Sequence, residues 1–440
     1  MLKINIARWG KWLTAGLILL NIGITYFRNI PDTTLDVDEY HFLRKSYYYD
    51  LFFTKRKLND PRWYTQDEPG QPKVGPYIYG FALHLSGIND IEDTFQNISF
   101  NRYQVEGENW WLKYWWKKLE NTPDEFTPIL KLILTGRKTA LVFTLPALLV
   151  LFIICSKMKG VLFGSIALFL LGLNSLMVAL AGRAMTDSPL LLFSSLNLLF
   201  LFLYTKAIEK GNPRRLYIIS FIIGLNCALA LGVKIVGILT LLVPFTLFPF
   251  LLYLYHRDKR KILLLISNLV IIVASFFVVF TFLHPYVHHN TIQNLYQMFA
   301  DRLEGAKNIR SLDWGSGVYA RWNAIKLIFQ YTLVPKGRFT NFFFTPIPVD
   351  LILFITGFYL MVKSAYKKLK SFKRISGELI YCLWTSITIF GLILYLNNDW
   401  PRYYLPTVVI ITVTQSYAIA IIISKAFDYL QTQYFPSKNK

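Results

Sequence analysis

The chain has 440 residues, 54% hydrophobic and only 17% charged, with 47 Lys plus Arg against 26 Asp plus Glu and a formal net charge of +21. Soluble domains carry about a quarter charged residues and seldom hold apolar runs near 20 residues, so a soluble enzyme, a disordered chain and a small disulfide-rich scaffold are excluded. Cys155, Cys227 and Cys382 each lie inside an apolar run and point to neither a disulfide framework nor a thiolate metal site.

Ten apolar stretches are expected as membrane spans, at 12–29, 138–156, 161–181, 188–205, 216–233, 235–255, 262–283, 349–362, 379–396 and 403–424. A helix rising about 1.5 Å per residue crosses a hydrocarbon layer of about 30 Å in roughly 20 residues, which leaves 349–362 the shortest of the set. The first stretch has a basic head and an apolar middle, as a signal peptide does. No small-residue cleavage site follows, and Phe27-Arg28-Asn29-Ile30-Pro31 reads as the exit of a retained anchor.

Directly after that exit come Asp36, Asp38, Glu39 and His41. Carboxylates crowded at a membrane surface repel one another, so one of them can have a raised pKa and serve as a base. In an extended stretch Asp36 and Asp38 point to the same side, which leaves room for a shared divalent ion. The plain alternative is a set of solvated acids beyond a span. Gln71-Pro72-Lys73-Val74-Gly75-Pro76 puts a lysine in a proline-stiffened loop before the apolar run 77–85, which can dip into the membrane. Lys73 reads as a phosphate cation or as an ordinary loop lysine. Trp110, Trp111, Trp115 and Trp116, with Lys113, Lys117 and Lys118, form an interfacial helix or a platform that admits a lipid-linked substrate.

Arg183-Ala-Met-Thr-Asp187-Ser-Pro lies at the turn between the third and fourth spans. Ionisable groups at that depth are costly unless paired or functional, and Arg183 and Asp187 are spaced to pair with each other on a helical turn. Lys234 interrupts an apolar run at the end of the fifth span, where it must snorkel or bind an anion. His284, His288 and His289 open a second long outer segment, without the further Cys or His that a zinc site needs. Asp399-Trp400-Pro401-Arg402-Tyr403-Tyr404-Leu405-Pro406 begins the last span, with Arg402 an interfacial anchor or a second phosphate cation.

The basic excess invites nucleic acid as a partner, but the cations sit in short loops between apolar runs instead of on one exposed face. Alternate loops hold Lys157 and Lys159, Lys206 to Arg215, Arg257 to Lys261 and Lys363 to Arg374. With both termini, they oppose only Glu209, Asp258 and Asp428. The positive-inside rule then puts both termini in the cytoplasm and the two long segments, 30–137 and 284–348, outside. One membrane domain over 1–440 is expected. A lipid or solute transporter using the outer charges is the rival reading, and inverted halves of the kind many transporters carry are not apparent.

Taken in order, these motifs resemble the GT-C superfamily of polytopic glycosyltransferases, closest to the protein O-mannosyltransferase and aminoarabinose lipid A transferase group. Asp38-Glu39-Tyr40-His41-Phe42 is similar to the Asp-Glu-x-His-Phe start of the mannosyltransferases' first outer loop. Arg183 to Phe193 is similar to the turn before the fourth span in both groups, and Lys234 and Arg402-Tyr-Tyr-Leu-Pro406 fit the same pattern. Gln71-Pro-Lys73-Val departs from the His-Pro-Pro and Glu-Lys-Pro-Pro of the two groups.

The resemblance implies an all-α polytopic membrane fold of the GT-C type. It also implies transfer of a hexosyl or pentosyl unit from a polyprenyl phosphate sugar to an acceptor hydroxyl on a protein or glycolipid, with inversion, at the extracytoplasmic face. Carried over by position, Asp38 is the base and Glu39 a less suited one. Lys234, Arg402, Lys73 and Arg183 become candidate phosphate cations, with Asp187, His284 and Tyr403 in support. No cofactor is implied; a divalent ion at Asp36 and Asp38 stays open, as in the oligosaccharyltransferase branch.

Overall fold

The computed structural model describes residues 6–434 except 35, 66–69, 90, 92–103, 106–107, 110–126, 312–317, 319–320, 343 and 397–398. The Trp-rich stretch at 110–116 therefore lies outside the described residues. The principal helices are α1 (Ile6–Asn29), α2 (Val37–Arg44), α3 (Val74–Leu85), α4 (Thr127–Lys159), α5 (Val161–Leu173), α6 (Ser175–Ala181), α7 (Asp187–Glu209) and α8 (Pro213–Val233). They continue with α9 (Leu239–Tyr255), α10 (Lys259–Leu283), α11 (Thr291–Ser311), α12 (Arg321–Thr332), α13 (Val349–Phe372), α14 (Gly377–Tyr395) and α15 (Leu405–Tyr434). A two-residue antiparallel pairing, Gln104 to Asn109 and Val105 to Glu108, is the β-structure among the described residues. The fold is all-helical and that of an integral, multi-pass membrane protein.

Among the described residues, eight helices are long and apolar enough to cross a membrane, and the bent pair α5–α6 makes nine if counted as one span. The remaining stretch of the expected ten is α1, a 24-residue helix outside that set. It packs on α4 and α5 and exposes Leu13, Leu17, Leu20, Ile24 and Phe27. The expected span 349–362 is too short as drawn: α13 runs for 24 residues. Lys363, Lys367 and Lys370 continue the helix past its apolar part with their ammonium groups free to reach the interface.

The expected continuous span 161–181 is broken by 68° at Asn174. Asn174 is extended, caps α6 by accepting from the Leu176 N–H, and donates its amide to Phe339 O and Asn341 Oδ1. Such a side chain offers the backbone an alternative to the helical ladder. The run 77–85 becomes α3, whose 12 residues reach only about 18 Å, short of a span.

Within the bundle α7 packs on α4 and α8, α8 on α10, and α15 on α13 and α5. Close approach of α8 to α10 requires Gly224, where a Cβ would collide with Ser275 and the Ile272 carbonyl. Small residues at such crossings let membrane helices pack backbone to backbone. The result brings the starts of α7 and α15 and the end of α8 to one place, beside α2 and the start of α3.

Candidate active site

The segment leaving α1 turns into α2 through a capping box. Asp36 is the N-cap: its carboxylate accepts from the Asp38 N–H at 3.0 Å, and Glu39 accepts from the Asp36 N–H at 3.3 Å. Orphan N–H groups at a helix start are satisfied this way, and the sequence Asp-x-x-Glu writes it directly. A helix stands here in place of the extended stretch in which Asp36 and Asp38 would point to the same side. Asp36 turns to Arg183, whose Nη1 donates to Oδ2 at 2.9 Å, while Asp38 pairs with Arg402. Burial raises the Asp36 pKa above the ordinary carboxylate range, Arg183 opposes this, and repulsion from Glu39 adds less.

Glu39 has both oxygens occupied. Arg137 on α4 donates to it from Nε at 2.9 Å and from Nη2 at 2.8 Å, and the Ala184 N–H adds a third bond at 2.9 Å. Both side chains are 0% exposed. Arg137 also donates to the carbonyls of Ile30, Thr33 and Thr34. This places Glu39 in the framework and argues against it as a base. Sequence reading missed Arg137 because it falls one residue before the apolar run beginning at 138; an arginine there reads as a loop cation.

Arg183 and Asp187, expected to pair with each other, do not. Asp187 opens α7 and accepts from Lys234 Nζ at 2.8 Å, and Lys234 sits in extended conformation between α8 and the 3-10 turn Ile235–Ile238. The anion that Lys234 needs is therefore a side chain of this chain. Tyr403 stacks on Trp400, and its ring lies 5.3 Å from Lys234 Nζ and 5.4 Å from the Arg402 guanidinium. Tyr331 and Tyr404 each donate a hydroxyl to Asp399, at 2.6 and 2.8 Å, and so fix the turn that presents Arg402. That bond, with burial, pushes the Tyr331 hydroxyl up to about 12.

Lys73 is the N-cap of α3, with its ammonium 3.9 Å from the centre of the Tyr48 ring. Its N–H donates to His284 Nε2 at 3.2 Å, and His284 Nδ1 donates to the Phe280 carbonyl at 2.8 Å. Both ring nitrogens of a neutral imidazole are thereby used, and burial lowers the His284 pKa to about 3. His284 fastens the second outer segment to the first. Among the described residues, no three of His, Cys, Asp and Glu converge as a metal-binding set.

Two pockets adjoin this cluster. One is lined by Lys45, Gln71, Lys234, Tyr395, Arg402 and Tyr403 with Phe42, Pro72, Pro76, Thr186, Val233 and Ile235. The other begins at Asp187 and runs between α7, α9, α14 and α15 past Leu190, Leu191, Leu239, Trp384, Leu392 and Val409. Around them Arg402 Nε, Arg183 Nε and Asp187 Oδ2 are buried without a hydrogen-bond partner among the described residues. A buried polar group without a partner costs about 1–3 kcal/mol, more for a charged group. Lys45 is a second residue that sequence reading passed over.

No protein-family model matches the sequence, and no curated protein matches it. Solved structures do. The archaeal oligosaccharyltransferase AglB from Archaeoglobus fulgidus, in complex with an inhibitory peptide and a dolichol-phosphate, is similar at 11% identity and TM-score 0.53, over 98% of this chain and 53% of that one. The same oligosaccharyltransferase in complex with Zn and sulfate gives TM-score 0.53 at 10% identity, over 94% and 50%. ArnT from Cupriavidus metallidurans in the apo state gives TM-score 0.52 at 14% identity, over 99% and 66%. The chain spans about half to two thirds of the length of these structures. Its membrane bundle shares the fold of these solved structures.

Proposed function

We propose that the protein transfers a sugar from a polyprenyl-phosphate-linked donor to an acceptor hydroxyl at the extracytoplasmic membrane face. The observation that carries this reading is a cation-lined pocket holding Arg402 and Lys234 beside an apolar pocket lined by Asp187, the partner of Lys234. A lipid phosphate is the ligand with that shape: a doubly charged head on a branched hydrocarbon tail. The dolichol-phosphate bound to one solved neighbour supports the same class. A protein or glycolipid acceptor is compatible with a site at the outer rim. A divalent ion is left open by the neighbour solved with Zn and sulfate.

Asp38 is the base. As it takes the acceptor proton, the hydroxyl oxygen attacks the anomeric carbon with inversion, and the phosphate leaves with the electron pair of the broken C–O bond. Arg402 holds Asp38. A phosphate entering between Arg402 and Lys234 draws the guanidinium from Asp38 and frees the carboxylate to accept a proton. Fixed cations aimed at the leaving group stabilise the charge that grows there, each contributing about 10²–10³ in rate.

The test is Asp38→Asn in purified enzyme. Transfer should be lost while undecaprenyl phosphate still binds; full activity in that variant would remove Asp38 from the mechanism.

A further inference from the structure

We propose that Lys45 binds the donor phosphate and takes the part that motif position gives to Lys73; this rests on the reading of the site as that of a polyprenyl-phosphate-dependent transferase. Lys45 is the C-cap of α2, two helical turns beyond Asp38 and so on the same face. Its ammonium donates to Gln71 Oε1 at 3.0 Å, and the two side chains line the pocket with Lys234 and Arg402. The three cations arrive from separate elements: the end of α2, the junction after α8, and the turn before α15. A phosphate monoester in the process of leaving presents oxygens in several directions, and cations on separate walls can reach them together.

Lys73 is differently placed. It is 1% exposed and absent from the pocket lining, with its ammonium over Tyr48, a ring stacked between Tyr47 and Trp63. A cation so held contributes to packing. The swap also accounts for the departure of Gln71-Pro72-Lys73-Val74 from the related motifs. Gln71 Oε1 accepts from the Lys45 ammonium, and a phosphate oxygen, unlike an amide oxygen, brings a full negative charge to that ammonium.

Farnesyl phosphate and farnesol serve as probes, titrated into the full-length protein in nanodiscs as wild type, Lys45→Met, Lys45→Arg and Lys73→Met. Wild type should prefer farnesyl phosphate. Lys45→Met should weaken farnesyl phosphate binding about tenfold or more, the loss of one charge-assisted contact, while farnesol binding is unchanged. Lys45→Arg should restore most of the affinity, and Lys73→Met should lower the melting temperature with affinity kept. Lys45→Gln replaces Lys45→Met if the latter does not fold. Unchanged affinity on neutralising Lys45 overturns the assignment, as does a loss that falls on Lys73→Met alone. If wild type does not distinguish farnesyl phosphate from farnesol, the transferase reading itself fails, and with it the role of Lys45.

Discussion

At the scale of single residues, the site is a set of cations held by acids, which on the proposed function a lipid phosphate relieves. Lys234 is bound to Asp187 and Arg402 to Asp38, and each pair crosses from one element to another. Lys234→Met should lower the transfer rate about 10²–10³ with Arg402 intact, read from initial rates at saturating donor. Wild-type rates in that variant would move the phosphate elsewhere. His284 gives a stability signature instead. Its folded pKa of about 3 lies below the ordinary 6.5, so the stability it lends is fully present above 6.5 and is lost as pH falls toward 3. Melting temperature in detergent should decline over that range, and His284→Gln should flatten the decline; an equal slope in both would assign it to other groups.

At the scale of elements, α2 is positioned by the Arg137–Glu39 pair. That pair ties the segment leaving α1 to α4 and to the turn before α7, so Asp38, Asp36 and Arg183 arrive in register. Removing one member of a buried pair leaves an uncompensated charge, and Arg137→Leu should cost about 3–5 kcal/mol in stability, seen as a large fall in melting temperature. Glu39→Gln keeps part of the hydrogen bonding. In its folded fraction it should retain activity that Asp38→Asn lacks; equal inactivity of the two would return Glu39 to the chemistry.

The membrane helices were legible in the sequence because apolar runs are local signals, whereas the Asp36-x-x-Glu39 cap, equally local, was read as an extended stretch. Partners were not legible: Arg183 and Asp36 are 147 residues apart, Lys234 and Asp187 47 apart. The spacing of Arg183 and Asp187 favours a helical pair, but the chain bends at Gly182–Ala184, before α7 begins, and turns the two side chains to different neighbours. The prolines around Lys73 read as a stiffened loop, but Val74, Gly75 and Pro76 already belong to α3, and nothing local showed that Tyr48 would receive the ammonium. Lys45, ending a polar stretch, carried no motif at all.

At the scale of the whole molecule, the cationic loops and the paired-charge cluster belong to opposite ends of the bundle. The cluster joins the ends of α7, α8 and α15 that lie away from Lys206, Arg215 and Lys425. On the orientation expected from the positive-inside rule, a cysteine introduced at exposed Lys159 should react with a membrane-impermeant maleimide only after the membrane is opened. One at exposed His288 should react in intact cells. The reverse pattern would invert the topology and put the site on the wrong face for the proposed reaction.

The most direct measurement offers the purified protein, with and without chelator, a panel of polyprenyl phosphate sugars together with acceptor-containing membrane extract, and follows free polyprenyl phosphate. Release from at least one donor by wild type, and from none by Asp38→Asn, is the predicted result. Release that is equal in both proteins, or absent with every donor although the lipid phosphate binds, would contradict the account.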